Sequence, residues 1–115
     1  MAVNTSFQPN DRGTLTISVT TSSANNALVR SPTSGVFQVR IYNAGPSLVF
    51  VRFAEPSVSS AGVYADGSSV AATNADIPIP AGNTETFTLD SSTSRIACLT
   101  ASSTATLYVT TGEGL

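Results

Sequence analysis

Residues able to do covalent or acid–base chemistry are sparse in this sequence. It contains no His and no Lys, so a serine or cysteine nucleophile lacks its usual base. The carboxylates Glu55, Glu85, Glu113, Asp66, Asp76 and Asp90 are spread along the chain, most of them in or beside turn-like segments. They read as solvated turn residues before they read as a general acid or base. "ADGSS" at 65–69 carries an Asp-Gly turn signal but lacks the alternating oxygen ligands and closing Glu of a calcium loop. The Gly112–Gly114 pair has no helix after it and so is not a phosphate loop. Cys98 stands alone in an apolar run, which excludes an internal disulfide and suits a small core residue. The expectation is a protein that is not an enzyme and uses no cofactor, metal or small-molecule substrate.

What these residues sit on is a series of short strands. "GTLTISVT" places Leu15, Ile17 and Val19 on one side and hydroxyls on the other. "TETFTL" and "TATLYVT" alternate in the same way, around Phe87 and Leu89 and around Ala105, Leu107 and Val109. "SRIACLT" is apolar at nearly every position, the pattern of a strand covered on both faces. Branched threonines suit a pleated sheet better than a helix. Turn-forming segments ("NAGPS", "EPSVSSAG", "ADGSS", "PIPAGN", "DSSTS", "TASST") separate the runs. The pattern predicts an all-β, single-domain antiparallel β-sandwich, jelly-roll-like, with about seven or eight short strands, one of them near residues 70–74. Residues 1–12 read as an extended N-terminal arm and 13–115 as the sandwich domain. Residues 21–34 read as a long polar connection and 54–83 as a second irregular region.

Bulk composition narrows the function classes. The chain has 115 residues, 41% hydrophobic and 10% charged, with a net charge of −2. That is too apolar for a disordered chain. It also offers no basic stripe for a nucleic-acid backbone, since Arg12, Arg30, Arg40, Arg52 and Arg95 are scattered. No apolar run is long enough for a membrane helix, and the N-terminus lacks the pattern of a signal peptide. Synthesis in the cytoplasm of the producing cell is the expectation.

"VRIYNAGPSLVFVRF" at 39–53 carries the main binding expectation. Read as a hairpin looping at Asn43–Ser47, it pairs Ile41 with Val49, Val39 with Val51 and Phe37 with Phe53 on a core face. The opposite face then holds Gln38, Arg40, Tyr42, Leu48, Phe50 and Arg52. Aromatics with arginine are enriched at protein interfaces, so this face is a candidate subunit or partner contact. It is equally readable as the inner face of a two-sided sheet with snorkelling arginine stems. Phe7 is a candidate anchor in the arm, or a residue tucked against its own domain. Without lysines, strand edges need short lengths, loops or neighbouring subunits to cover them.

The segments "VRIYNAGPSLVFVRFA", "AATNADIPIPAGNTETFTL" and "RIACLTASSTATLYVTTGEGL" follow one another in an order that resembles small capsid decoration (cement) proteins of tailed bacteriophages. The resembling motifs are Asn-x-Gly before a Val-x-Val strand, a Pro-x-Pro-x-Gly-like turn before Thr/Phe, and a terminal Thr-x-Gly-Glu-Gly. They cover roughly residues 36–115. The resemblance implies a jelly-roll-like homo-oligomer, dimer or trimer, on the exterior of the virion. Its partner there would be the major capsid protein, whose adjacent copies it would clamp. Two other functions stay open: a head–tail connector or tail-fibre component, and a glycan-binding β-sandwich using Tyr42, Tyr64 or Tyr108.

Overall fold

The fold comes from a computed structural model that describes residues 8–28, 36–65, 67–90 and 92–113. Its strands are β1 (Gln8–Val19), β2 (Ala24–Ala27), β3 (Phe37–Pro46), β4 (Val49–Ala54), β5 (Ser57–Val58), β6 (Tyr64–Ala65), β7 (Ile77–Ile79), β8 (Thr84–Leu89), β9 (Arg95–Thr100) and β10 (Ala105–Glu113). No helix occurs among the described residues. Two four-stranded antiparallel sheets face each other, ordered β1-β10-β3-β8 and β2-β9-β4-β7. The strands are thus nested in pairs, β1 with β10, β2 with β9, β3 with β8 and β4 with β7. The chain behaves as one long hairpin folded back at β5–β6 and then rolled. Pairing of β10 with β3 and of β9 with β4 closes each sheet. That is a jelly-roll-like sandwich, as the alternation and turn spacing predict.

The core follows from side-chain alternation. Ile17 and Val19, Val39 and Ile41, Leu107 and Val109 point inward from the first sheet. They meet Val49, Val51, Ile79, Ile96 and Cys98 from the second. Burying each such aliphatic side chain is worth about 1.5–3 kcal/mol, so this inner layer dominates the stabilisation. Phe53 and Phe87 close the layer as an edge-on pair with ring centroids 5.4 Å apart.

The hairpin expected at 37–53 does not form. Its two runs occupy different sheets, with β3 beside β10 and β8 and β4 beside β9 and β7. Alternation fixes which side of a strand meets the core, not which strand lies next to it. Phe37, Val39, Ile41, Val49 and Val51 are therefore buried as expected, with Phe53 half-buried, but they face one another across the core. The expected loop at Asn43–Ser47 is largely strand, because β3 continues to Pro46 along β10. Fully buried Asn43 makes the corner. Its Nδ2 donates to Ser47 O and Ile79 O, both at 2.8 Å, and its Oδ1 accepts from Gly45 N at 2.8 Å. Its backbone also binds Asn83 O and Gly82 N. One amide thus joins the β3–β4 crossing to the β7–β8 turn, satisfying groups that burial would otherwise leave unpaired.

Other boundaries also differ from the sequence reading. β2 lies within the segment read as a polar connection, and β5, β6 and β7 lie within the segment read as irregular. Residues 70–74 are not a strand; the short strand there is β7, Ile77–Ile79. Residues 8–12, read as arm, belong to β1, where Gln8 and Pro9 pair with Glu113 and Gly112. A register shift between Pro9 and Thr14 bends that strand. Gly13 is needed at the bend: a Cβ there would lie 2.9 Å from the Asn10 Cβ and 3.1 Å from Thr111 O.

Candidate interaction surfaces

The seven expected contact residues are not brought to one face. Gln38, Arg40 and Tyr42 line the outer face of the first sheet. Phe50 and Arg52 are on the outer side of the second sheet, and Leu48 precedes them on the crossing. The sandwich core separates the two groups. Phe7 lies outside the described residues.

Part of the second sheet's outer face, around Ala54 and Ala97, is covered by its own chain. Residues 67–72 cross it as a strap, and Asn25 on β2 holds them. Its Nδ2 donates to Gly67 O at 3.0 Å and Val70 O at 2.8 Å, while its Oδ1 accepts from Arg95 Nε at 2.5 Å. Ala72 N donates to Ser23 Oγ at 2.9 Å, and Arg52 Nη1 reaches toward Ala71 O at 3.5 Å. Gly67 fits closely over β4: a Cβ there would lie 3.2 Å from Glu55 O and 3.5 Å from the Ala54 Cβ. Beneath the strap Ala97, an outward residue, is fully buried, so β9 is covered on both faces as its unbroken apolar run predicts. Phe50 is half-buried between its cross-strand partners Pro78 and Leu99. This region matches the reading of an apolar inner face more than that of an open contact.

The outer face of the first sheet is different. Cross-strand register builds one row of Thr84, Tyr42, Tyr108 and Thr16, and a second of Thr86, Arg40, Thr110 and Thr14. Tyr42 and Tyr108 form a parallel ring pair, with centroids 6.3 Å apart and planes 18° from each other. They are 41% and 40% exposed. Thr14 and Thr110 share a hydroxyl–hydroxyl hydrogen bond of 2.8 Å, and Gln38 Nε2 approaches Thr88 Oγ1 at 3.4 Å. Tyr108 is absent from the expected contact set because alternation alone does not show that β10 lies beside β3.

A third surface is the β5–β6 ribbon. Gly62 N donates to Ser59 O at 2.8 Å, and Ser59 N to Val63 O at 2.9 Å. Gly62 takes the left-handed conformation (φ 83°) that such a turn requires. The ribbon presents Val58, Val63 and Tyr64, exposed by 63%, 64% and 66%. An isolated two-stranded ribbon is marginal in water, and these side chains add nothing to the core.

The fold also joins two carboxylates that are distant in sequence. Ser92 Oγ lies 2.6 Å from Asp90 Oδ1 and 3.0 Å from Glu55 Oε2. Hydrogen bonds from the Ser92 side chain and backbone hold the Asp90 pKa below its ordinary value. The hydroxyl is thus tied to carboxylates that cap a solvent-facing turn. Among the described residues no group of three or more His, Cys, Asp or Glu side chains could hold a metal ion. Cys98 is buried, and desolvation pushes its thiol pKa up to about 12, far from a reactive thiolate. No known family model, curated protein or solved structure matches the chain.

Proposed function

We propose that this chain is a structural component of a tailed-phage particle, bound to the outside of the capsid, where it clamps adjacent major capsid proteins. The observation that carries the reading is the β5–β6 ribbon, whose three large apolar side chains face solvent. Apolar and aromatic side chains of this kind are what a protein contact buries. The sequence resemblance points the same way, and the jelly roll is a fold that capsid domains use, an analogy of fold alone. On this reading the chain is a binder, not a catalyst, and works as a homo-oligomer. One ribbon is a small contact, and linked copies gain avidity when their geometry lets them engage together.

The test is co-sedimentation of purified protein with expanded capsid shells, followed by cryo-electron microscopy of the decorated particle. Density on the exterior at hundreds of copies supports the proposal, and an undecorated exterior overturns it. About a dozen copies at one vertex would assign the chain to a connector ring instead. Replacing Val58 and Tyr64 together by Ser should weaken attachment by about 30-fold or more, the scale of an interface hot spot. The melting temperature of the free protein should stay unchanged.

A further inference from the structure

Four strands lie at sheet edges: β1 and β8 in the first sheet, β2 and β7 in the second. We propose that the β8 edge binds a second copy of this chain, β8 against β8, so that the two first sheets become one continuous sheet. The inference rests on the homo-oligomer part of the proposed function, to which it gives an interface, and not on the capsid part. The other three edges are poorer templates. β2 has four residues, and β7 has three with Pro78 among them; short and proline-bearing edges resist pairing. β1 is bent by its register shift, and its inward Ile17 and Val19 are sealed in the core, with Leu15 beside them half-buried. β8 runs for six residues without proline or a register shift, and the chain has no lysine to guard it.

Backbone and side chains of this edge both suit an added strand. Asn43 N donates to Asn83 O at 3.0 Å, and the β3–β8 register continues from that pair. Hydrogen-bonded pairs alternate along an antiparallel ladder, so β3 takes the backbone groups of Glu85, Phe87 and Leu89. Those of Thr84, Thr86 and Thr88, all exposed residues, point off the sheet edge. Beneath them Phe87 and Leu89 are only half-buried, and so is Phe53, which meets Phe87 edge-on. β7 pairs with β4 only at Val49–Val51 and does not reach Phe53.

A twofold axis through Phe87 lets β8 pair with its own copy over its length. Phe87 then faces the second copy's Phe87 in the closer, non-hydrogen-bonded kind of pair. Thr86 and Thr88 exchange backbone hydrogen bonds with the second copy's Thr88 and Thr86. The charges favour this register too. The two Glu85 carboxylates stand four positions apart, about 13 Å along the strands, whereas registers centred on Glu85 or Thr86 bring them together. Six paired residues and the two layers behind them give roughly 450 Å² per copy. A standard interface buries about 800 Å² per partner, so this is a weak dimer that forms at high protein concentration.

The experiment is sedimentation velocity of the purified protein over a series from micromolar to millimolar concentration. A monomer at the low end and a dimer at the high end are expected. Thr86→Pro removes an N–H that points away from β3, so the melting temperature should stay nearly unchanged. The same change takes one backbone bond from each copy and should weaken the dimer about tenfold or more. Amide exchange of the wild-type protein, read by NMR, keeps the proposal testable even where the proline variant fails to fold. The Thr86 and Thr88 amides should slow by about threefold or more from low to high concentration, while the amides of β1 do not change. The proposal is overturned if the protein stays monomeric at millimolar concentration. It is also overturned by a dimer that a folded Thr86→Pro leaves at full strength, or one that slows exchange in β1 and not in β8. A β8 dimer that leaves capsid shells bare upholds this interface while overturning the capsid reading.

Discussion

The two outer faces of this sandwich share a backbone plan and differ in what covers them. On the second sheet the strap of residues 67–72 lies over Ala54 and Ala97 and is held through Asn25. On the first sheet, threonines, two tyrosines and Arg40 meet solvent. The inward residues of both sheets are equally buried, so the core does not distinguish them. The lesson is that the outward residues of a strand report its covering. Small apolar side chains mark a face that the chain covers for itself, and hydroxyls with aromatics mark one left accessible.

The most severe test places the same charge on each face. Ala97→Arg forces a long cation beneath the strap, at a position that is fully buried. It should cost about 3 kcal/mol or more through overpacking and desolvation. Thr86→Arg, on the open face, should stay within about 0.5 kcal/mol of wild type. Urea unfolding of both variants measures the difference, and equal costs would break the comparison.

A milder change removes only the fastening. Asn25→Ala deletes two donors to Gly67 O and Val70 O and one acceptor for Arg95 Nε. The expected cost is about 2 kcal/mol, with water able to replace part of what is lost. Hydrogen exchange should rise over 67–72 and stay unchanged in β3 and β10. Exchange rising in both sheets together would show that the strap is not a separable layer.

The sequence makes the inner layer legible because alternation has a period of two and the core accepts one parity. Val39, Ile41, Val49, Val51, Leu107 and Val109 follow directly from that rule. Strand partners do not follow, and that misplaces the contact residues: Tyr42 and Phe50 look adjacent in the chain yet belong to opposite faces. The missing information is non-local. Tyr108 joins Tyr42 from 66 positions away through the β10–β3 register, and Asn25 meets Gly67 across 42. Asn43 has a local signal, the Asn-x-Gly of a turn, but its reach to Ile79 O depends on the fold. β2 is hidden because "ANNA" lacks alternation, and its Asn25 serves the strap.

Cys98 offers a way to tell loosening of the strap from separation of the sheets, since it points into the core from β9. Its thiol pKa is raised from 9.0 to about 12 by burial. A raised pKa favours the protonated, neutral thiol in the folded state. This contribution is therefore fully present below about pH 9 and is lost as pH climbs from there toward 12. Over that interval stability should fall by about 1.4 kcal/mol per pH unit for the one proton. A Cys98→Ala variant should lack this slope in urea titrations at pH 8, 9.5 and 10.5. At pH 8 a thiol-specific reagent should label wild type and Asn25→Ala equally slowly, because releasing the strap leaves the inner layer closed. Fast labelling of Asn25→Ala would mean that the strap also holds the sheets together.

The smallest effect belongs to the open face. Thr110→Val keeps the shape of the side chain and removes the hydroxyl that pairs with Thr14 at 2.8 Å. Water can take the place of the lost partner there, and valine has a strand propensity at least equal to threonine's. The change should therefore move stability by no more than about 0.5 kcal/mol, in either direction. The urea unfolding curve should stay in place. A loss of more than about 1 kcal/mol would instead make the hydroxyl ladder a structural device of the sheet, and would remove the main difference between the two faces.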